Sequence, residues 1–247
     1  MDELGQARTA ADLPTAGDEE VDRCALAGQR GRDGREDPSR ATDPHEAFPA
    51  GFFDRQDPSD DADFYAPPRL VTHIDEGAIA AVGALYEELA VDGDVLDLMG
   101  SWISHFAAAP ASLHVLGMNA AELEANPMAT ATTIHDLNAE PTLPFSDGSF
   151  DDAVCCVSID YLVRPIDVIG DLARLLRPGG RFVCTFSNRC FPTKAIRGWL
   201  ANTDNGRAAL VAEYFRLAGG WNDAVVQRRT PLGHRGDPLF AVWAERA

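Results

Sequence analysis

Lysine is almost missing from this chain. Lys194 stands alone among 21 Lys+Arg residues, against 39 Asp+Glu, and the net charge is −18. Without a basic face to release counterions from a phosphate backbone, nucleic acid is not an expected partner. The preference for Arg over Lys, with abundant Ala, fits a GC-rich bacterial genome. Long apolar runs are also missing: the best, such as 79–85, fall far short of the roughly 20 residues a membrane span needs. Met1-Asp2-Glu3 opens the chain with neither a basic n-region nor an apolar h-region, so a cytoplasmic location and no membrane partner are expected. The five cysteines (Cys24, Cys155, Cys156, Cys184, Cys190) are odd in number and scattered, which suits reduced thiols rather than a disulfide framework. No Cys-x-x-Cys or His-x-x-x-His pair supports a metal site, and Cys155-Cys156 reads as small core residues.

What is present is an ordinary globular composition, 45% hydrophobic and 24% charged in 247 residues. Charge is uneven: residues 1–63 carry 17 acids and 7 Arg. Residues 1–47, rich in Gly, Pro, Asp and Arg without a sustained apolar period, read as a disordered or loosely attached acidic tail. Residues 48–74 introduce Phe48, Phe52, Phe53, Phe64 and Tyr65 among acids and read as a cap segment, a lid over the domain formed by 75–247.

From Asp75 the pattern is periodic. Ile79, Val82, Leu85, Tyr86 and Leu89 lie at helical spacing behind Asp75 as N-cap, predicting a helix to about Val91. Short apolar stretches at 94–98, 112–117 and 132–135 predict three strands, with a short helix at 120–125 between the second and third. The run 150–159 predicts a central strand buried on both faces. Pro165 starts a helix that Pro178-Gly179-Gly180 stops, and 181–186 is the fifth strand. A helical region at 193–217, broken near 202–206, precedes two last strands at 221–229 and 238–245, an antiparallel hairpin. The alternation gives an α/β fold with a doubly wound, mostly parallel seven-stranded sheet, in which ligands bind beyond the carboxyl ends of the strands.

Four motifs fall on those elements in order. They are Val95-Leu96-Asp97-Leu98 with a glycine turn, His135-Asp136-Leu137, Leu143-Pro144-Phe145-Ser146-Asp147-Gly148-Ser149-Phe150-Asp151, and Leu176-Arg177-Pro178-Gly179-Gly180. Over about 70–247 this resembles the class I S-adenosylmethionine-dependent methyltransferases, in particular the type 11 methyltransferase-domain group, with a Rossmann-like sheet. The resemblance implies S-adenosylmethionine as cofactor and a small-molecule acceptor methylated in line. It places Asp97, Gly100 and Ser101 at the loop beside the methionine moiety, Asn119 at the ribose, and Asp136 with Leu137 at the adenine. Ser158 to Tyr161 would face the transferred methyl. Two departures stand out: the loop reads Met99-Gly100-Ser101-Trp102-Ile103-Ser104 instead of Gly-x-Gly-x-Gly, and Asn119 replaces an acid, the stronger acceptor. Trp102 would occupy space that a glycine leaves open.

Methyl transfer asks for positioning and, at a hydroxyl, a base. Candidate bases are Asp160, His73 and His105, with Tyr161 orienting the substrate; each also fits a packing or capping role. Arg69 suits the cofactor carboxylate, or else a surface ion pair. Arg189 and Lys194 suit an acidic group on the substrate; equally, Asn188 and Thr193 suit capping of the next helix, with Pro192 at its start. The alternative function is a methyltransferase-fold protein that binds the cofactor or a metabolite and catalyses a non-methylating reaction, or serves as a regulatory binding protein.

Overall fold

The computed structural model describes residues 43–247, and most of the tail assigned to 1–47 lies outside them. Pro44–Ala47 forms a 3-10 turn, and Phe48 behind it is buried in the core. Five strands run parallel: β1 (Asp94–Leu98), β2 (Ser112–Gly117), β3 (Ala131–Ile134), β4 (Asp152–Cys156) and β5 (Arg181–Phe186). The last two are β6 (Val225–Arg228) and β7 (Phe240–Glu245), with β7 antiparallel to both β5 and β6. The sheet order β3-β2-β1-β4-β5-β7-β6 reverses direction between β1 and β4, the expected seven-stranded mixed sheet with its antiparallel end.

Alternation along the strands feeds two cores. Val95, Leu113, Val115, Val154 and Val183 pack on one face beneath α2 (Glu76–Glu88). Leu96, Leu98, Leu116, Cys155 and Cys184 pack on the other, beneath α4 (Pro165–Leu175) and α6 (Asp204–Ala218). Asp75 caps α2 by accepting from the Ala78 amide at 2.8 Å, as its sequence position predicts. The remaining helices are single short turns: α1 (Asp61–Tyr65), α3 (Ala120–Glu124) and α5 (Arg197–Ala201). No described helix is long and apolar enough to cross a membrane.

Three expectations need correction. The central strand is Asp152–Cys156 and not 150–159, because Val157 turns to a left-handed backbone (φ +48°) and Ile159–Tyr161 coils into a 3-10 turn. Helix does not begin near Thr193. The Phe191 carbonyl collects the Lys194 and Ala195 amides in a turn, α5 starts only at Arg197, and no side chain caps it. Strand β6 is also shorter than 221–229; Trp221 makes only an isolated bridge to Arg246.

Candidate functional site

A cavity of about 270 Å³ opens at the carboxyl ends of β1, β2 and β4, where the strand order reverses. Met99 and Val157 follow β1 and β4 directly, both line the cavity, and both adopt positive φ (+57° and +48°). Such a backbone costs an L-residue roughly 1–2 kcal/mol, and strain of this kind gathers at ligand sites. Two glycines let the chain close in around it. A Cβ on Gly100 would meet Val115 Cγ1 at 2.6 Å and Asp97 Oδ2 at 2.8 Å; one on Gly117 would meet the Gly100 carbonyl at 2.3 Å. The turn after β1 therefore packs its backbone directly onto the end of β2 along the cavity wall.

Gly100, Ser101 and Ser158 line the cavity at the β1 and β4 ends, and Asn119, Asp136 and Leu137 at the β2 and β3 ends. Asp136 Oδ1 accepts from the Asn138 and Ala139 amides (2.8 and 3.3 Å), which fixes the carboxylate and leaves Oδ2 for a ligand. Asp97 lies beneath the glycine turn, 3% exposed, and faces a smaller cavity on the far side of that turn. Ser104 Oγ donates to its carboxylate and is itself held by Asn126 Nδ2 at 2.8 Å, while burial pushes the Asp97 pKa up to about 7. His105 also faces this smaller cavity, its Nδ1 buried and unpartnered.

Asn119 is spent on the protein. Its Oδ1 caps α3 by accepting from the Glu122 amide, and its Nδ2 donates to the Tyr65 and Ala66 carbonyls at 2.8 and 3.0 Å. The acid at this wall is Glu122, which sequence reasoning missed. It accepts from the Arg69 amide and from Ser101 Oγ, both at 2.5 Å. Nothing in the sequence of the short helix marks it; only the fold turns this carboxylate toward the turn after β1. Trp102, expected to crowd that turn, instead donates Nε1 to the Val71 carbonyl at 3.1 Å and does not line the large cavity.

Tyr65, Arg69, His73, Tyr161, Arg189 and Phe191 complete the cavity wall. Partial burial lowers the His73 pKa, so its ring is neutral at neutral pH. Tyr161 Oη accepts from the Phe191 amide at 2.9 Å. Asp160 does not join them: the 3-10 turn sends Tyr161 to the wall and Asp160 inward, 2% exposed, Oδ2 unpartnered and its pKa raised by burial to about 8. Lys194 does not join them either. Fully buried, its Nζ lies 3.1 Å from Asp61 and 3.3 Å from Asp57 and donates to the Ser59 carbonyl. Arg69 rests over the Phe64 ring at 4.6 Å and donates to the Phe64 carbonyl.

Residues 99–184 match the family described as "Methyltransferase domain". Among solved structures, the (4+2)-cyclase SpnF superposes with a TM-score of 0.51 at 14% identity over 73% of this chain and 89% of that one. A methyltransferase from Mesorhizobium loti gives 0.46 at 16% identity, covering 67% and 98%. Magnesium protoporphyrin IX methyltransferase from Synechocystis gives 0.45 at 14%, covering 69% and 79%. No curated protein matches the chain.

Proposed function

We propose that this chain, a class I S-adenosylmethionine-dependent methyltransferase by its domain, binds that cofactor in the cavity at the ends of β1, β2 and β4 and methylates a small-molecule acceptor. The observation that carries the reading is the packing of the turn after β1 on the end of β2, where Gly100 and Gly117 leave no room for a Cβ and both line the cavity. Gly100 and Ser101 would face the methionine moiety. Asp136 Oδ2 would accept from the adenine amine, with Leu137 against the ring. Glu122 is the acid nearest the ribose position, where Asn119 is already committed to the protein, and Arg69 offers its guanidinium to the carboxylate. Asp97, under the turn, acts as a positioning residue.

The sulfonium supplies an already electrophilic methyl group; the protein's task is alignment. Ser158 and Tyr161 flank the reacting end. His73, neutral and at the mouth, is placed to take a proton from an acceptor hydroxyl. Asp160, turned into the core, takes no part. A second reading keeps the pocket and drops the transfer, since one imidazole and two phenols would equally serve a rearrangement of a bound metabolite; it is favoured by the absence of Asp160 from the wall.

Calorimetry of the full chain with S-adenosylhomocysteine tests the binding site. Saturable binding is expected, and Asp136→Ala should weaken it about tenfold, the loss of one buried hydrogen bond to the ligand. No heat at millimolar ligand would end the reading. Transfer of label from methyl-labelled cofactor into a metabolite extract separates methylation from the second reading.

A further inference from the structure

We propose that the acceptor is a planar aromatic molecule bearing a carboxylate, its ring held against Phe191 and Tyr161 and its charge paired by the guanidinium of Arg189. This rests on the cofactor reading above, which leaves the Tyr161–Phe191 end of the cavity for the acceptor. Three observations point the same way.

Phe191 is the hub of an aromatic wall. Its ring lies 5.5 Å from Phe64, 5.3 Å from His73 and 6.0 Å from Tyr161, the last at a shallow 31°. Such a wall recognises a flat apolar body.

The carboxylates at this end are already used. Asp61 accepts from Arg55 Nη1 at 2.6 Å and from Asn138 Nδ2 at 2.8 Å, with Lys194 3.1 Å away. Asp237 accepts from Arg189 Nε at 2.9 Å and from the Asp75 amide at 3.0 Å. Among the described residues, a cationic amine acceptor would find no free anion beside Phe191 and would face the guanidinium of Arg189.

The donors, by contrast, are unspent. Arg189 commits only Nε, so both terminal nitrogens are unpartnered among the described residues, in the fork geometry that matches a carboxylate. Tyr161 receives the Phe191 amide on its oxygen, which leaves its own proton for a ligand oxygen. In a chain of net charge −18, this part of the cavity offers an anion the uncommitted guanidinium nitrogens of Arg189, while Arg69 is held by the Phe64 carbonyl and serves the cofactor.

The test uses the full chain saturated with S-adenosylhomocysteine and titrated with salicylate, salicylamide and cyclohexanecarboxylate in a calorimeter. Salicylate should bind about tenfold tighter than either the neutral amide or the non-planar acid. Arg189→Ala should erase the preference for salicylate over salicylamide and leave the affinity for S-adenosylhomocysteine within about twofold, since its side chain is largely exposed. Equal binding of salicylamide, a preference that survives Arg189→Ala, or no salicylate binding at millimolar concentration would each overturn the proposal. Failure of S-adenosylhomocysteine to bind is read separately. It sinks the cofactor reading, and the same titrations on the free protein then decide the acceptor class.

Discussion

Asp97 sits at the end of β1 with its carboxyl sealed beneath the glycine turn and one hydroxyl, Ser104 Oγ, as its side-chain donor. Burial outweighs that bond and lifts the pKa to about 7. The folded state therefore holds a proton that the unfolded chain releases near pH 4, so the contribution of Asp97 to stability is whole below that point. It is lost progressively as pH climbs through about 7, and is constant above. Asp97→Asn mimics the neutral carboxyl. We expect its advantage over the parent to widen by about 1–3 kcal/mol between pH 5 and pH 8, read as urea denaturation at each pH. An offset that does not change with pH would show that Asp97 stays ionised in the folded protein. Asp160 obeys the same sign, with its loss extending to about pH 8, so the parent's own curve should keep a slope after Asp97 is replaced. The residue scale is also where the sequence misled most. Asp160 follows an apolar strand directly, the right place for a base, but a 3-10 turn rotates adjacent residues by about 120° and only Tyr161 reaches the cavity. Glu122 was invisible for the opposite reason: inside the short helix at 120–125 nothing marks it in the sequence, and only the fold brings Ser101 and Arg69 against it.

The elements themselves were legible wherever period and punctuation agreed. Asp75 begins α2, Pro165 begins α4, and the apolar stretches at 94–98, 112–117 and 181–186 are strands to the residue. Contacts that join elements far apart in the chain left no mark in local pattern. The segment before α2 is bolted to the domain by such a contact: Lys194 reaches Asp57, Ser59 and Asp61, more than a hundred residues earlier, and Asp61 also binds Arg55 and Asn138. Lys194 looked like a ligand for substrate because a lone lysine in a polar loop normally points to water; here it is fully buried. Removing one member of a buried charge cluster strands the others and typically costs about 3–5 kcal/mol. Because Asp61 keeps Arg55, Lys194→Met should cost about 2–3 kcal/mol, with early loss of amide protection confined to 55–66 in hydrogen exchange. Asp61→Asn in the same chain should deepen that loss, because it strands the buried Arg55 as well. If Lys194→Met left both global stability and exchange in that segment unchanged, the bolt would be a surface pair of no consequence.

At the scale of the whole molecule, fold and electrostatics part company. The doubly wound, mostly parallel sheet with its antiparallel end follows from alternating strands and helices, so that architecture and a ligand site beyond the carboxyl ends of the strands were readable in advance, while the order of the strands came from the fold. The net charge of −18 says nothing of that topology but acts on the folded chain as a whole. Exposed pairs such as Arg177 with Asp94 and Asp151, or Arg216 with Glu213, return little and weaken in salt. The uncompensated acids repel one another over a distance that salt shortens, from about 14 Å at 0.05 M to about 4 Å at 0.5 M. With so large an excess of one sign, relief of repulsion outweighs the loss of surface pairs. Raising NaCl across that range at pH 7.5 should therefore lift the Tm by about 2–4 °C, equivalent to about 1 kcal/mol in a domain of this size. Near pH 5, close to the isoelectric point of about 4.5, the excess charge is mostly neutralised and the same salt step should leave the Tm flat or lower it. A rise of equal size at both pH values would assign the effect to salting-out of apolar surface instead of to charge.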